Sequence, residues 1–330
     1  MMTARPTHSP LTGLTLRTLG SALGRTIGRN RVCVINYHRV LRTPEPLLSS
    51  EPDVAAFRWQ MELLARCFHV MPLHGALQAV ATGRVPQRAV CITFDDGYRS
   101  IHELALPVLR EFNLPATVFV TSGFIGQGSM WNDRIIEAVQ ALPPGELDLT
   151  DLGLGSYRLD GMTQRKHTLE LLIERSKYLP PTARNNLVDR LGLLAGDAHG
   201  HGPMLTRDMI LDLDRHGIDI GAHTVSHPIL TSLDNDSARH EIAGGKAQLE
   251  AILGKPVRLF AYPNGKAGKD YDDRHVAMVR EAGFDAAFTT AAGSFGRGQD
   301  VFQLPRSRPW DDAPLTFGLR LLRWLTPGHP

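Results

Sequence analysis

The strongest constraint on the fold of this chain is a recurring pattern of short apolar runs, each followed by turn residues and then by a helical pattern. The runs begin with RVCVINYH (31–38) and AVCITFDD (89–96), and others start at residues 116, 218, 257, 285 and 302. Most are continuously apolar rather than alternating, which is typical of parallel strands covered on both faces. Strands that alternate with helices predict a parallel α/β architecture.

The chain length of 330 residues allows one large α/β barrel or two ordinary domains. The strand–helix rhythm changes between residues 128 and 205, where helical patterns flank a loop or short hairpin. We therefore predict a barrel over residues 31–310 that carries a mainly helical insertion at about 128–205. In this interpretation residues 1–30 form a basic amphipathic N-terminal segment, and residues 311–330 form an amphipathic C-terminal tail.

The charge balance argues against a nucleic-acid partner, because the formal net charge is only +2. No run reaches the roughly 20 apolar residues that span a bilayer, and the N-terminus lacks the pattern of a signal peptide. We therefore predict a cytoplasmic protein whose two basic amphipathic ends could contact the inner face of the membrane peripherally. Ends that pack on the globular body are an equally good interpretation, and the oligomeric state is open.

Chemically active side chains follow the predicted strands at the points where the strands end. Asp95 and Asp96 follow one strand, while His223 and His227, four residues apart, follow another. A barrel gathers its strand ends on one face, so these four side chains are expected to meet. Adjacent aspartates alone indicate a solvated turn, and a lone histidine pair is weak evidence. Their joint position favours a divalent metal held by two histidines and one carboxylate.

Three stretches resemble the first three motifs of the polysaccharide deacetylase family, also known as the NodB-homology family of carbohydrate esterases. They are TFDDGY (93–98), HTVSH (223–227) and FAYPNG (260–265), and the resemblance covers roughly residues 31 to 308. The resemblance implies a distorted, incomplete (β/α) barrel. It also implies metal-dependent removal of an acetyl group from an N-acetylated sugar.

The resemblance assigns a metal set and a base. Asp96, His223 and His227 would hold the metal, and Asp95 would act as the general base. Zinc is the default ion, although two histidines and one aspartate also suit Co, Ni or Mn. A metal and a base suit this reaction, because an acetamide and a water molecule both need activation before they react.

The third motif is expected to form one wall of the pocket. By the resemblance, the backbone N–H of Asn264 would stabilise the oxyanion of the tetrahedral intermediate, while Tyr262 and Pro263 would shape the wall. A main-chain donor survives a change of side chain, so this role does not depend on the asparagine itself.

Two departures from the family pattern require substitutes. Ala261 stands where the family usually carries an arginine that orients the base, and Arg306 or Arg308 could take its place. The late Leu-x-His motif that usually supplies the general acid is missing. INYHRV (35–40) resembles the early YH motif of poly-N-acetylglucosamine deacetylases, which makes His38 the candidate acid. A histidine that simply bonds to backbone at a strand end is the alternative interpretation.

The sequence therefore predicts a hydrolase that removes an N-acetyl group from an amino sugar in a polysaccharide or in its lipid-linked precursor. A sugar deformylase or O-acetyl esterase would need the same groups. A catalytically silent carbohydrate-binding protein of the same fold is the alternative from another class. Trp131, in the insertion, could stack on a sugar ring or serve only as a packing anchor.

Overall fold

The computed structural model describes residues 30–196, 203–308 and 311–326. Apart from residue 30, the predicted N-terminal segment lies outside the described residues. The chain divides into two compact units. Among the described residues, the first contains 30–43, 50–125, 205–308 and 311–326, and the second contains 44–49, 126–196 and 203–204.

Ten strands are present in the described residues. In chain order they are β1 (Arg31–Tyr37), β2 (His69–Val70), β3 (Ala89–Phe94), β4 (Thr117–Val120), β5 (Glu146–Leu149), β6 (Gly155–Arg158), β7 (Asp219–Ala222), β8 (Leu259–Ala261), β9 (Ala286–Phe288) and β10 (Ser294–Gly296).

Ten α-helices are present in the same described residues. They are α1 (Val54–Cys67), α2 (Leu73–Thr82), α3 (Leu106–Glu111), α4 (Trp131–Ala141), α5 (Met162–Lys177), α6 (Pro181–Leu194), α7 (Arg207–Arg215), α8 (Asn235–Leu253), α9 (Asp273–Glu281) and α10 (Pro314–Trp324).

The first unit is built on one mainly parallel sheet. Its strand order is β10-β1-β3-β4-β7-β8-β9, with β2 paired to β3, and only β10 runs antiparallel to its neighbour β1. Every residue of β3 is buried, because both faces of this strand are covered. The parallel α/β architecture expected from the continuously apolar runs is confirmed.

A short irregular segment connects β9, the strand at one end of the sheet, to β1, which lies next to the other end strand, β10. Leu304 forms a single bridge to Phe288 of β9, and Ser307 forms a single bridge to Ile35 of β1. The sheet is therefore a distorted, incomplete barrel, as expected, closed on one side by residues 304–307 rather than by a regular strand. The strand expected at residues 302–306 does not form, because each of these contacts is one bridge long.

The second unit is mainly helical. It contains α4, α5, α6 and the antiparallel hairpin of β5 and β6. Ile135, Leu172, Leu187 and Leu191 are buried in its own apolar core.

The C-terminal helix α10 belongs to the first unit and buries most of its apolar side chains, among them Phe317 and Leu321. The Phe317 ring meets Trp59 of α1 edge to face at a centroid distance of 5.5 Å. Among the described residues, no helix combines the length and apolar character that crossing a bilayer requires.

Candidate active site

The backbone changes direction sharply after β3, at Asp95, Asp96 and Gly97. Asp96 has a φ of 70° and Gly97 has a φ of 86°. The left-handed conformation is natural for glycine but unfavourable for aspartate. A Cβ atom on Gly97 would lie 3.1 Å from Cγ1 of Val120, so a side chain at this position would also need Val120 to shift by a few tenths of an ångström. Strained backbone of this kind is concentrated at functional sites.

Asp96, His223 and His227 form a compact donor set. Oδ1 of Asp96 lies 3.5 Å from Nε2 of His223 and 3.4 Å from Nε2 of His227. One ligand atom from each of the three residues lies within 4.8 Å of the others. Ligands placed about 2.1 Å from a tetrahedral ion are about 3.4 Å apart, so both measured distances fit a divalent cation. The donor types also fit, since imidazole and carboxylate suit zinc and its neighbours.

His223 is oriented by a backbone carbonyl. Its Nδ1 donates to the carbonyl oxygen of Ala261 at 2.7 Å, which leaves the lone pair of Nε2 directed towards Asp96. Such a bond to the second nitrogen fixes the tautomer of a metal-binding histidine. Burial lowers the pKa of His223, so the ring is neutral at neutral pH, as a ligand must be.

Asp95 points to a different set of partners. Its two carboxylate oxygens accept hydrogen bonds from the guanidinium of Arg306 at 2.5 and 2.8 Å. Nδ2 of Asn36 donates a third bond at 2.9 Å. Burial alone would raise the pKa of Asp95, but the charge of Arg306 and its hydrogen bonds hold that pKa well below its usual range. Asp95 is therefore ionised at neutral pH, and three hydrogen bonds hold its carboxylate in place.

The two candidate arginines take separate partners. The Arg306 side chain is completely buried and pairs with Asp95, whereas Arg308 pairs with Glu51. Of the two, Arg306 is thus the one placed to orient the predicted base. Arg306 comes from the segment that closes the sheet between β9 and β1, which explains how a residue so late in the chain reaches β3.

His38 follows β1 and is half-buried. Its Nδ1 is buried and makes no hydrogen bond within the described residues. Burial, followed by the positive charge of Arg308, lowers the pKa of His38 well below its usual value, although Asp95 opposes this effect. The ring is therefore neutral at neutral pH before substrate binds.

The third motif, residues 260–265, contacts His223. Ala261 supplies the carbonyl that orients this histidine, and Asn264 has a φ of 60°. The Tyr262 ring is buried and stacked on Tyr271 at a centroid distance of 3.9 Å, and its hydroxyl donates to the carbonyl of Phe302. Tyr262 and Pro263 are both buried, and their role in shaping the wall of the pocket stays a prediction.

Trp131 lies in the second unit, at the start of α4. The Arg184 guanidinium of α6 sits over its ring at 5.0 Å. A role in sugar stacking stays a prediction.

Sequence reasoning missed Asn36, which bonds to Asp95 and also accepts from Arg306 at 3.3 Å. A signal was present. Asn36 and His38 are two residues apart in and just after a strand, so they share one face. If His38 faces the site, Asn36 is expected to face it as well.

The chain resembles known proteins in sequence and in fold. The polysaccharide deacetylase family matches residues 82–287. A poly-β-1,6-N-acetyl-D-glucosamine N-deacetylase of Staphylococcus epidermidis is 29% identical over 148 residues, which are 41% of this chain and 51% of that protein. The chain thus spans about half the length of the curated relatives it matches.

Two solved structures share the fold at low identity. The deacetylase PplD of Streptococcus pyogenes, solved with acetate, superposes with a TM-score of 0.59 at 17% identity, over 90% of this chain and 99% of that one. IcaB of Ammonifex degensii superposes with a TM-score of 0.56 at 19% identity, over 88% of this chain and 97% of that one. Since the family match spans well over half of the sequence and includes the strand-end aspartates and histidines, this chain belongs to the polysaccharide deacetylase family.

Proposed function

We propose that the protein is a metal-dependent hydrolase that removes an N-acetyl group from an amino sugar of a polysaccharide. One observation carries the proposal. Two adjacent aspartates diverge, so that Asp96 faces two imidazoles and Asp95 faces a buried guanidinium. This division gives one carboxylate for a cation and one for a proton.

Asp96, His223 and His227 would hold the cation, with zinc as the default. A divalent ion bound there supplies Lewis acidity for the acetyl carbonyl and lowers the pKa of a water molecule from about 15.7 towards about 7. The neutral state of His223 and its fixed tautomer prepare the chain for that ion.

Asp95 is the proposed general base. It is ionised at any physiological pH, so it is always able to accept the proton of the attacking water. Arg306 and Asn36 fix its orientation and keep its affinity for that proton low. The accepted proton is therefore released readily to a stronger base nearby.

His38 is the proposed general acid. Hydrolysis forms a bond between the water oxygen and the acetyl carbon and breaks the carbon–nitrogen bond, so the departing amine needs a proton. Neutral His38 would receive the proton accepted by Asp95 and pass it to the amine nitrogen. The geometry that supports this relay is that His38 and Asp95 follow β1 and β3, two parallel neighbours that end at the same edge of the sheet.

The backbone N–H of Asn264 is the proposed donor to the oxyanion. Its segment lies beside His223, because the preceding Ala261 bonds to that ring. A main-chain donor in a fixed turn needs no rearrangement during the reaction.

The name of one relative supports a substrate class. The relative from Staphylococcus epidermidis carries the name of a poly-β-1,6-N-acetyl-D-glucosamine N-deacetylase, which favours polymers of N-acetylglucosamine. A lipid-linked precursor at the inner membrane face is the second candidate. The peripheral contact proposed for that case depends on the basic segment before residue 30, because α10 buries most of its apolar side chains.

The decisive experiment couples metal analysis to product release. Zinc content is measured in the purified protein, and acetate is measured after incubation with β-1,6-linked N-acetylglucosamine oligomers and with lipid-linked N-acetylated sugars. Formate release from N-formyl sugars and acetate release from O-acetyl sugars test the alternative chemistries.

Asp95→Asn should retain zinc and lose acetate release by about 100-fold to 10,000-fold, the usual contribution of a general base. Asp208→Asn, at an exposed position on α7, is the matched control and should behave as the wild type. Full turnover by Asp95→Asn would refute the base assignment, and a wild-type protein that binds no metal would refute the proposal.

A further inference from the structure

The loop that carries His227 has an unfavourable backbone conformation. Thr224 has a φ of 67° and His227 has a φ of 56°. Residues with a side chain rarely adopt this left-handed region, and they persist there only where the surrounding structure holds them. Other groups must therefore hold this loop in place.

Glu241, on α8, contacts the loop through both carboxylate oxygens. Its Oε2 accepts the backbone N–H groups of Val225 at 2.9 Å and of Ser226 at 2.8 Å. Its Oε1 accepts the hydroxyl of Ser226 at 2.6 Å. Two successive N–H groups that converge on one oxygen form an anion-binding concavity, filled here by a carboxylate of the same chain.

The same face of α8 makes two further contacts. Glu241, Gly245 and Gln248 are spaced four and three residues apart, so they share one side of the helix. A Cβ atom on Gly245 would lie 2.9 Å from the carbonyl carbon of Thr224, so the helix approaches the loop as closely as a glycine allows. Gln248 accepts a hydrogen bond from the hydroxyl of Ser122 at 2.7 Å.

Ser122 and Gly123, after β4, hold the loop through its backbone carbonyls. The backbone N–H of Ser122 donates to the carbonyl of Thr224 at 3.1 Å, and the N–H of Gly123 donates to the carbonyl of Val225 at 2.8 Å. The loop is thus held between α8 and the turn after β4. His227 follows directly, and its N–H donates to the hydroxyl of Thr224 at 3.1 Å.

We propose that Glu241 is a positioning residue for the metal site, which sets the backbone of residues 224–226 and thereby aims His227 at Asp96. This inference rests on the metal centre proposed above. Glu241 bonds to the loop immediately before His227, so its effect on the metal passes through the placement of that ligand.

The test is a zinc titration of the full chain in competition with a chromogenic chelator. Glu241→Ala should weaken zinc affinity by about 10-fold to 100-fold, the usual effect of removing a group that orients a metal ligand. Glu241→Gln should cause a smaller loss, because its amide oxygen can still accept the two N–H groups. Glu250→Gln is the matched control on the same helix, since Glu250 accepts from Val257 instead of the loop, and it should match the wild type.

Cobalt substitution gives a second readout. The visible d–d bands of the Co²⁺ form should shift in Glu241→Ala, because the ligand geometry changes, and should be unchanged in Glu250→Gln. If Glu241→Ala does not fold, Glu241→Gln compared with Glu250→Gln decides the matter. Folded Glu241 variants with wild-type affinity and spectrum would overturn this inference alone, whereas a wild-type protein without zinc affinity would overturn the metal centre itself.

Discussion

Replacing Arg306 by methionine tests the buried ion pair that holds the proposed base. The side chain of Arg306 is 0% exposed and that of Asp95 is 3% exposed, so solvent cannot replace the lost guanidinium. Removing one partner of a buried pair costs about 3–5 kcal/mol, because the remaining charge is left uncompensated. Asn36 would still donate one hydrogen bond, which limits the loss but cannot neutralise the carboxylate.

The free energy of unfolding of Arg306→Met should therefore fall by about 3–5 kcal/mol at pH 7, measured by denaturant titration. A double variant with Asp95→Asn as well should recover much of that loss, since no buried charge remains.

The pH dependence of this loss has a definite sign. The pKa of Asp95 is depressed in the folded protein, so the pair stabilises the fold above the unfolded carboxyl pKa of about 3.9 and loses this effect as pH falls further. The difference between wild type and Arg306→Met should shrink at acidic pH. A loss below about 1 kcal/mol at pH 7, typical of an exposed ion pair, would refute this reasoning.

Three further predictions concern single positions. His227→Ala should abolish tight zinc binding measured by chelator competition, because two ligands remain; unchanged affinity would contradict the proposed triad. Gly97→Ala should lower the free energy of unfolding by at least about 1–2 kcal/mol in denaturant titration, since an alanine is forced to positive φ; a neutral result would contradict the strain argument. Burial raises the pKa of Asp219, so its ionised form destabilises the fold. In denaturant titration, Asp219→Asn should therefore have a higher free energy of unfolding than the wild type at pH 7, and the difference should vanish below about pH 4. A difference that does not change with pH would contradict this prediction.

The sequence predicts the parts of the fold that produce long apolar runs. β1 and β3 are seven and six residues long and buried on both faces, so their pattern is unambiguous. β10 is only three residues long, and Leu304 and Ser307 each form a single bridge. Segments this short produce no periodic pattern of apolar residues in the sequence. The antiparallel strand β10 and the closing segment 304–307 are therefore visible only in the structure.

The candidate site shows the same division. Asp96, His223 and His227 were predicted together because each follows a strand end. The choice between Arg306 and Arg308 was open, since residues two apart in an extended segment share a face. Glu241 gave no signal at all, because a glutamate on a helix is normally solvated and its target lies in a loop sixteen residues earlier.

The altered third motif bears on whether the proposed enzyme is active. The alternative of a catalytically silent protein depended on Ala261, which stands where the family usually has its arginine. What Asp95 requires is a guanidinium at its carboxylate, whichever part of the chain provides it. Residues 304–307 close the sheet beside β1, the neighbour of β3, and this placement brings Arg306 onto Asp95 with two hydrogen bonds. The absence of an arginine at residue 261 therefore no longer favours a silent protein, because its charge is present at the same carboxylate.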